Sequence, residues 1–190
     1  RAQTTMKRWR ASWQGEWRDL NTALAEIGSI SERRVNRMLD AHLSDLPPFL
    51  TAYPGVDSGL MITQYTAAAL VSENKVLAHP ACVDSIPTSA NQEDHVSMGT
   101  IAARQSREIL ENSRHVIAIE MLVAAQGLDF LKPLEPGVGV QAAYKAVRAE
   151  VPHLEEDRVP AEDIATVYRL LVGETIVNQV ETAVGPLQAQ

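Results

Sequence analysis

The densest run of side chains able to do chemistry is Thr88-Ser89-Ala90-Asn91-Gln92-Glu93-Asp94-His95. It lies just before a stretch of helical periodicity, whose N-terminal amides favour negative charge. Carboxylates and an imidazole can exchange protons once their surroundings separate their pKa values, and Glu93 can accept a charge-assisted hydrogen bond from a donor-bearing ring. The residues alone leave a plainer reading open, with Asp94 as a helix cap and His95 as a satisfied surface or core residue. His79, Cys82, Asp94 and His95 are all possible metal ligands, yet their spacing matches no common zinc pattern, and no metal is expected. A nucleophilic Cys82 would need a basic neighbour that sequence does not place, so a small buried hydrophobe is the better reading. Gly137-Val138-Gly139 lacks the rest of either phosphate-binding glycine fingerprint, and a turn explains it.

The elements that must position this run read as helical. Leu20, Ala23, Leu24, Ile27, Ile30 and Leu39 recur at mostly helical spacing and predict one long helix, with Gly28 as a candidate bend. Leu46-Pro47-Pro48-Phe49-Leu50 reads as extended, because each proline restricts the residue before it and removes a donor. Asp57 or Ser58 can cap a helix from Gly59 to Leu77, which reads as buried on most sides; its Thr66, Ala67, Ala68 and Ala69 allow close neighbours. Residues 78–96 form a long polar connection of a kind that is usually functional in a compact domain.

Ser97 can cap a helix reaching Ala125, with Ile101, Ile109, Val116, Ile117, Ile119 and Leu122 as its apolar side and Gly127 as its stop. At 1.5 Å per residue it would be about 40 Å long, a length typical of bundles. Shorter helices are predicted near 138–150 and 161–183, the second opened by Pro160 with Glu162 and Asp163 at its positive end. No strand, repeat or low-complexity segment is read. The expected fold class is all-α, a bundle of long helices.

A chain of 190 residues, 45% apolar and 22% charged, is expected to fold around a real core. Its apolar share comes mostly from Ala, Leu, Val and Ile, of which Ala and Leu lose least on entering a helix. A net charge of -7 argues against a general nucleic-acid binder. Cys82 is the only cysteine, which rules out an internal disulfide and fits the cytoplasm. The most apolar stretch, Val116 to Ala125, is short and carries Glu120, so no membrane partner is expected.

Residues 1–18 stand apart from 19–190. Trp9, Trp13 and Trp17 recur every four residues among Arg8, Arg10 and Arg18, which sets three rings on one helical face. A basic amphipathic helix resting on a membrane or partner and an ordinary packing stripe or fused terminus both remain open. The absence of an initiator Met, with Arg1 opening the chain, leads to the expectation of a fragment.

Gly59-Leu60-Met61-Ile62-Thr63-Gln64-Tyr65 and the residues on to Lys75, then His79-Pro80, Val83 to Ser89, and Asn91-Gln92-Glu93-Asp94-His95-Val96-Ser97-Met98-Gly99 closely resemble the histidine ammonia-lyases of the aromatic amino acid lyase family. Ala25 to Arg34 and Leu46 to Leu50 also look like that family. The resemblance covers Leu20 to Leu131 well. It implies the C-terminal part of the helical ammonia-lyase fold and the conversion of L-histidine to trans-urocanate and ammonia. It also implies homotetramers with active sites built from several subunits, and a methylidene-imidazolone electrophile formed from Ala-Ser-Gly. That tripeptide is not in these residues.

Carried over position by position, the resemblance makes Glu93 the catalytic-site glutamate facing the imidazole, Gln92 its neighbour lining the site, and Met61 the residue under the substrate ring. In phenylalanine lyases the positions of Glu93 and Met61 resemble Gln and Lys, so the pair favours histidine. Residues 1–18 do not resemble the segment the family places before Leu20. The expected function is therefore a C-terminal lyase segment, inactive alone, working with further copies or with a complementary N-terminal lyase chain. A non-catalytic helical oligomerisation module derived from the family is the alternative, and an aminomutase relative with another aromatic substrate ranks lower.

Overall fold

The computed structural model of the protein describes residues 2–83, 85–93 and 96–187, without the side chains of residues 2–15 and Cys82. The tryptophan stripe at Trp9 and Trp13, the Cys82 side chain, Asp94 and His95 thus lie outside the described residues. Seven α-helices follow in order among the described residues: α1 Ala2–Leu39, α2 Ala41–Ser44, α3 Met61–Leu77, α4 Gly99–Phe130, α5 Val138–Glu150, α6 Pro160–Val172 and α7 Thr175–Val184. Isolated bridges, Pro54 with Asp57 and Thr88 with Glu93, are the only extended pairings among the described residues. The all-α expectation holds.

The chain divides into two compact units, one of residues 1–29 and 70–113, the other of residues 30–69 and 114–190. In unit one, α1 and α4 meet through small polar groups. Asn21 bonds to Ser106, Ser113 Oγ donates to the Leu24 carbonyl at 3.0 Å, and Asn74 Nδ2 donates to Ser113 Oγ at 3.2 Å. These side chains are buried, and their mutual bonds remove the cost of burying unpaired polar groups. Helix α1 runs unbroken through Gly28. The glycine is there for close approach, since a Cβ would lie 3.1 Å from Ser113 Oγ.

In unit two, the core gathers Ala118, Leu122 and Ala125 of α4, Ala146 and Val147 of α5, Val151, Val167 of α6 and Ile176 of α7. Each fully buried Val, Leu or Ile contributes about 1.5–3 kcal/mol of hydrophobic stabilisation. Residues 161–183, expected as one helix, instead fall into two, α6 and α7, because the chain breaks at Gly173 and turns left-handed at Glu174 (φ 58). The break lets α7 return along α5, its principal neighbour in this unit.

Three further expectations need correction. Helix α4 passes Gly127 and ends at Phe130. A Cβ at Gly127 would lie 3.3 Å from Leu46 Cδ1, so this glycine serves packing, and the helix ends where Pro133 and Pro136 remove donors. Pro47 is extended, but Pro48–Leu50 closes into a 3₁₀ turn with Phe49 and Leu50 at φ 54 and 55. Leu50 is buried by that turn. Finally, α3 buries one stripe, Thr63, Ala67, Val71 and Asn74, and exposes Ile62, Tyr65 and Val76.

A polar cluster braces unit two. Asp129, at the end of α4, accepts from Tyr144 Oη (2.6 Å), Lys132 Nζ (2.9 Å), Arg148 Nη2 (2.7 Å) and His153 Nδ1 (3.0 Å). Burial alone would raise the Asp129 carboxyl, but the hydrogen bonds from Lys132, Tyr144 and His153 with the Arg148 charge outweigh it and hold the group well below the usual carboxylate range. Arg148 also donates to Gln126 Oε1 at 3.0 Å, which carries the brace inward.

Candidate active-site residues

Unit one carries Gln92 and Glu93 at the close of a left-handed turn. Ser89, Ala90 and Asn91 have φ of 53, 53 and 68. Left-handed backbone disfavours Cβ-bearing residues, so a run of three needs support from outside it. The support is a clasp across its ends. Thr88 N–H donates to the Glu93 carbonyl at 3.1 Å, and Glu93 N–H returns a bond to the Thr88 carbonyl at 3.3 Å. Thr88 Oγ1 donates to Glu93 Oε2 at 2.8 Å, orienting the carboxylate.

A second rung lies just outside the first. Val96 N–H donates to Ser85 Oγ at 2.9 Å, Ser97 Oγ accepts from Gly99 N–H at 3.3 Å where α4 begins, and Gln105 Nε2 of α4 reaches the His79 carbonyl at 3.4 Å. The described residues of the long connection are tied by 3₁₀ turns and side-chain bonds. Gln92 and Glu93 are exposed. An exposed, oriented carboxylate can accept a charge-assisted hydrogen bond from an imidazole N–H.

Unit two carries Met61 as the first residue of α3, half-buried. The turn leading to it uses Gly59 at φ +56, where a Cβ would lie 2.5 Å from the Phe49 carbonyl oxygen. Only glycine fits there. Leu60 N–H donates to that same oxygen at 2.9 Å, and Met61 N–H to the Ser58 carbonyl at 3.3 Å. In the turn before α3 the Asp157 carboxylate accepts from the N–H groups of Ser58 and Gly59, each at 2.8 Å.

Gln92 and Glu93 thus belong to one unit and Met61 to the other. Among the described residues no group of three or more His, Cys, Asp or Glu side chains gathers to hold a metal, and no helix is long and apolar enough to cross a membrane. Sequence reading missed Asp157, Gln126 and the partners of Asp129. Asp157 sits in Glu155-Glu156-Asp157-Arg158, which carries no local signal beyond solvation.

Residues 14–149 match the family model for aromatic amino acid lyase. The chain belongs to the aromatic amino acid lyase family. It is 55% identical over 170 residues to a histidine ammonia-lyase of Natranaerobius thermophilus, covering 89% of this chain and 34% of that protein. To the histidine ammonia-lyase of Alkaliphilus oremlandii it is 58% identical over 165 residues, 87% of this chain and 32% of that one. The chain thus spans about a third of the length of the curated lyases it matches.

Among solved structures, histidine ammonia-lyase from Trypanosoma cruzi superposes with a TM-score of 0.86 at 46% identity, covering 90% of this chain and 34% of that one. Tyrosine aminomutase from Streptomyces globisporus does so with a TM-score of 0.88 at 36% identity, covering 93% and 34%. The fold of this lyase-family chain is shared by a histidine ammonia-lyase and a tyrosine aminomutase. Backbone likeness alone is blind to substrate here.

Proposed function

We propose that this chain is the ring-recognition portion of a histidine ammonia-lyase, acting on L-histidine to give trans-urocanate and ammonia. The observation that carries the reading is the 55–58% identity to histidine ammonia-lyases across nearly nine-tenths of the chain. The oriented carboxylate of Glu93 supports it chemically. Glu93 accepts the imidazole N–H, Gln92 lines the same loop, and the Met61 thioether packs against the ring, a soft contact suited to an aromatic face. Further copies of the chain, or a chain carrying the rest of the lyase, complete the site.

The family's methylidene-imidazolone supplies the electrophile that activates the amino group as a leaving group. It forms from Ala-Ser-Gly, and the residues of this chain do not fit it. Ala11-Ser12 is followed by Trp13, and the one Ser-Gly pair, Ser58-Gly59, follows Asp57. Both amides of that pair are engaged by Asp157. No step through the electrophile is assigned to this chain, and alone it is expected to form no urocanate.

The test joins this chain to the preceding two-thirds of a histidine ammonia-lyase and follows urocanate by its ultraviolet absorbance. Glu93→Gln removes the charge from a hydrogen bond worth about 1.5–3 kcal/mol, so kcat/KM for histidine should fall about 10- to 100-fold. An assembled, folded enzyme that ignores histidine, or one indifferent to Glu93→Gln, would sink the proposal. Steady urocanate formation by the chain alone, abolished by Glu93→Ala, would overturn the expected dependence on the rest of the lyase.

A further inference from the structure

The turn that delivers Met61 is held from a loop almost a hundred residues away in sequence. Asp157 Oδ2 accepts from Ser58 N–H and Oδ1 from Gly59 N–H, both at 2.8 Å. Two successive amides aimed at one anion make a cradle that a carboxylate fills. Those two bonds, Ser58 first, hold the Asp157 carboxyl below its ordinary range, so it is ionised at neutral pH. The left-handed Gly59 then turns the chain against the Phe49 carbonyl, where Leu60 N–H donates at 2.9 Å.

The loop bearing Asp157 is itself anchored. Leu154 N–H donates to Gln126 Oε1 at 3.1 Å, and Gln126 Nε2 donates to the Leu154 carbonyl at 3.0 Å and the Leu50 carbonyl at 3.3 Å. Gln126 is buried, and its side chain bonds both loops that flank the turn. Arg158 closes the loop on the other side, donating to the carbonyls of Pro152 (2.8 Å) and His153 (3.1 Å) and to Asp163 (2.9 Å). The clamp therefore joins a fixed loop to a turn whose next side chains are Leu60, buried, and Met61, half-buried.

We infer that Asp157 is a positioning residue which, by clamping the Ser58 and Gly59 amides, sets the place of the Met61 thioether and so the affinity for the substrate's ring. The inference rests on reading Met61 as the ring-packing residue. A purely structural Asp157 would affect stability alone. A positioning Asp157 changes KM through Met61 and through nothing else.

In the complete lyase assembled with this chain, Asp157→Asn should raise KM for histidine about two- to tenfold and leave kcat within about twofold, because ring packing is made equally in ground and transition states. Met61→Ala should raise KM similarly, and adding Asp157→Asn to it should change KM by less than about twofold, since the shared contact is already gone. A raised KM in Met61→Ala beside an unchanged KM in Asp157→Asn, or full additivity in the double variant, overturns the inference and leaves the ring-packing reading standing. An unchanged KM in Met61→Ala overturns that reading and the inference with it. In the chain as it stands, hydrogen exchange at the Ser58 and Gly59 amides should quicken in Asp157→Asn, and unchanged exchange overturns the clamp whatever the kinetics. Asp157→Ser on the same exposed loop serves if the first variant does not fold.

Discussion

Replacing Asp129 by Asn keeps the side chain's shape and removes one charge from the brace of unit two. Asp129 and Arg148 expose only 6% and 12% of their side chains, and they approach to 2.7 Å. Removing one member of a buried pair costs about 3–5 kcal/mol when the other is left stranded. Arg148 is not wholly stranded, because it keeps the carbonyls of Val151 and Pro152 and the Gln126 amide oxygen. The exposed Lys132 adds little, since exposed pairs are worth about 0–1 kcal/mol. The expected loss is therefore about 2–3 kcal/mol at neutral pH, or a fall in Tm of about 5–10 °C for a chain of this size.

Urea and thermal unfolding of the parent chain and Asp129→Asn, followed by circular dichroism, measure this directly. The pH dependence gives a second readout. The folded-state pKa of Asp129 is depressed, so its stabilisation is present above the unfolded value of about 3.9 and lost as pH falls through the folded one. The gap between parent and variant should hold from pH 7 to about 5 and narrow below about 4. A variant within about 0.5 kcal/mol of the parent at pH 7, or a gap that does not narrow with acid, refutes the reasoning.

Gly59→Ala forces a Cβ to 2.5 Å from the Phe49 carbonyl at φ +56, and should destabilise unit two by about 2 kcal/mol or more in the same urea titration. Gln126→Leu fills a similar volume but strands the Leu50 and Leu154 carbonyls and the Leu154 N–H. At about 1–3 kcal/mol per buried unmet group, a loss of roughly 3 kcal/mol is expected, with the midpoint of unfolding as its measure. In the complete lyase, Glu93→Gln should lower kcat/KM for histidine about 10- to 100-fold while the melting temperature of the enzyme stays put.

Where one physical demand dominates a residue, its place was legible in the sequence. Ile109, Val116, Ile119 and Leu122 follow the helical period and are all buried in α4, and Pro160 opens α6 as its missing N–H predicts. Ile101, on the same predicted stripe, is 40% exposed in this chain. Glycine misled because one letter serves two demands. Gly28 and Gly127 read as a bend and a stop, yet both sit inside helices where a Cβ would press on Ser113 and Leu46. The run Leu46 to Leu50 reads as extended because each proline restricts the residue before it, a constraint that acts on Leu46 and Pro47 and not on Phe49 or Leu50. The observed turn goes with burial of the Leu50 side chain and with Leu60 N–H donating to the Phe49 carbonyl, a bond from outside the run.

The same distinction separates the residues that touch substrate in the proposed reading from those that place them. Gln92 and Glu93 sit in a recognisable string, and the Thr88 clasp that orients the carboxylate lies five residues away. The group that holds the turn before Met61 lies 98 residues from Gly59, in an acidic run that looks like solvated surface. A short polar residue in such a run acquires meaning only when folding brings unsatisfied amides to it. Ser58 and Gly59 lie in the turn before α3, outside the helix's own ladder of hydrogen bonds. Asp157 meets both with one side chain. Among the described residues, a loop carboxylate facing two such amides thus marks a turn whose exact placement matters, and here the residue it places is Met61.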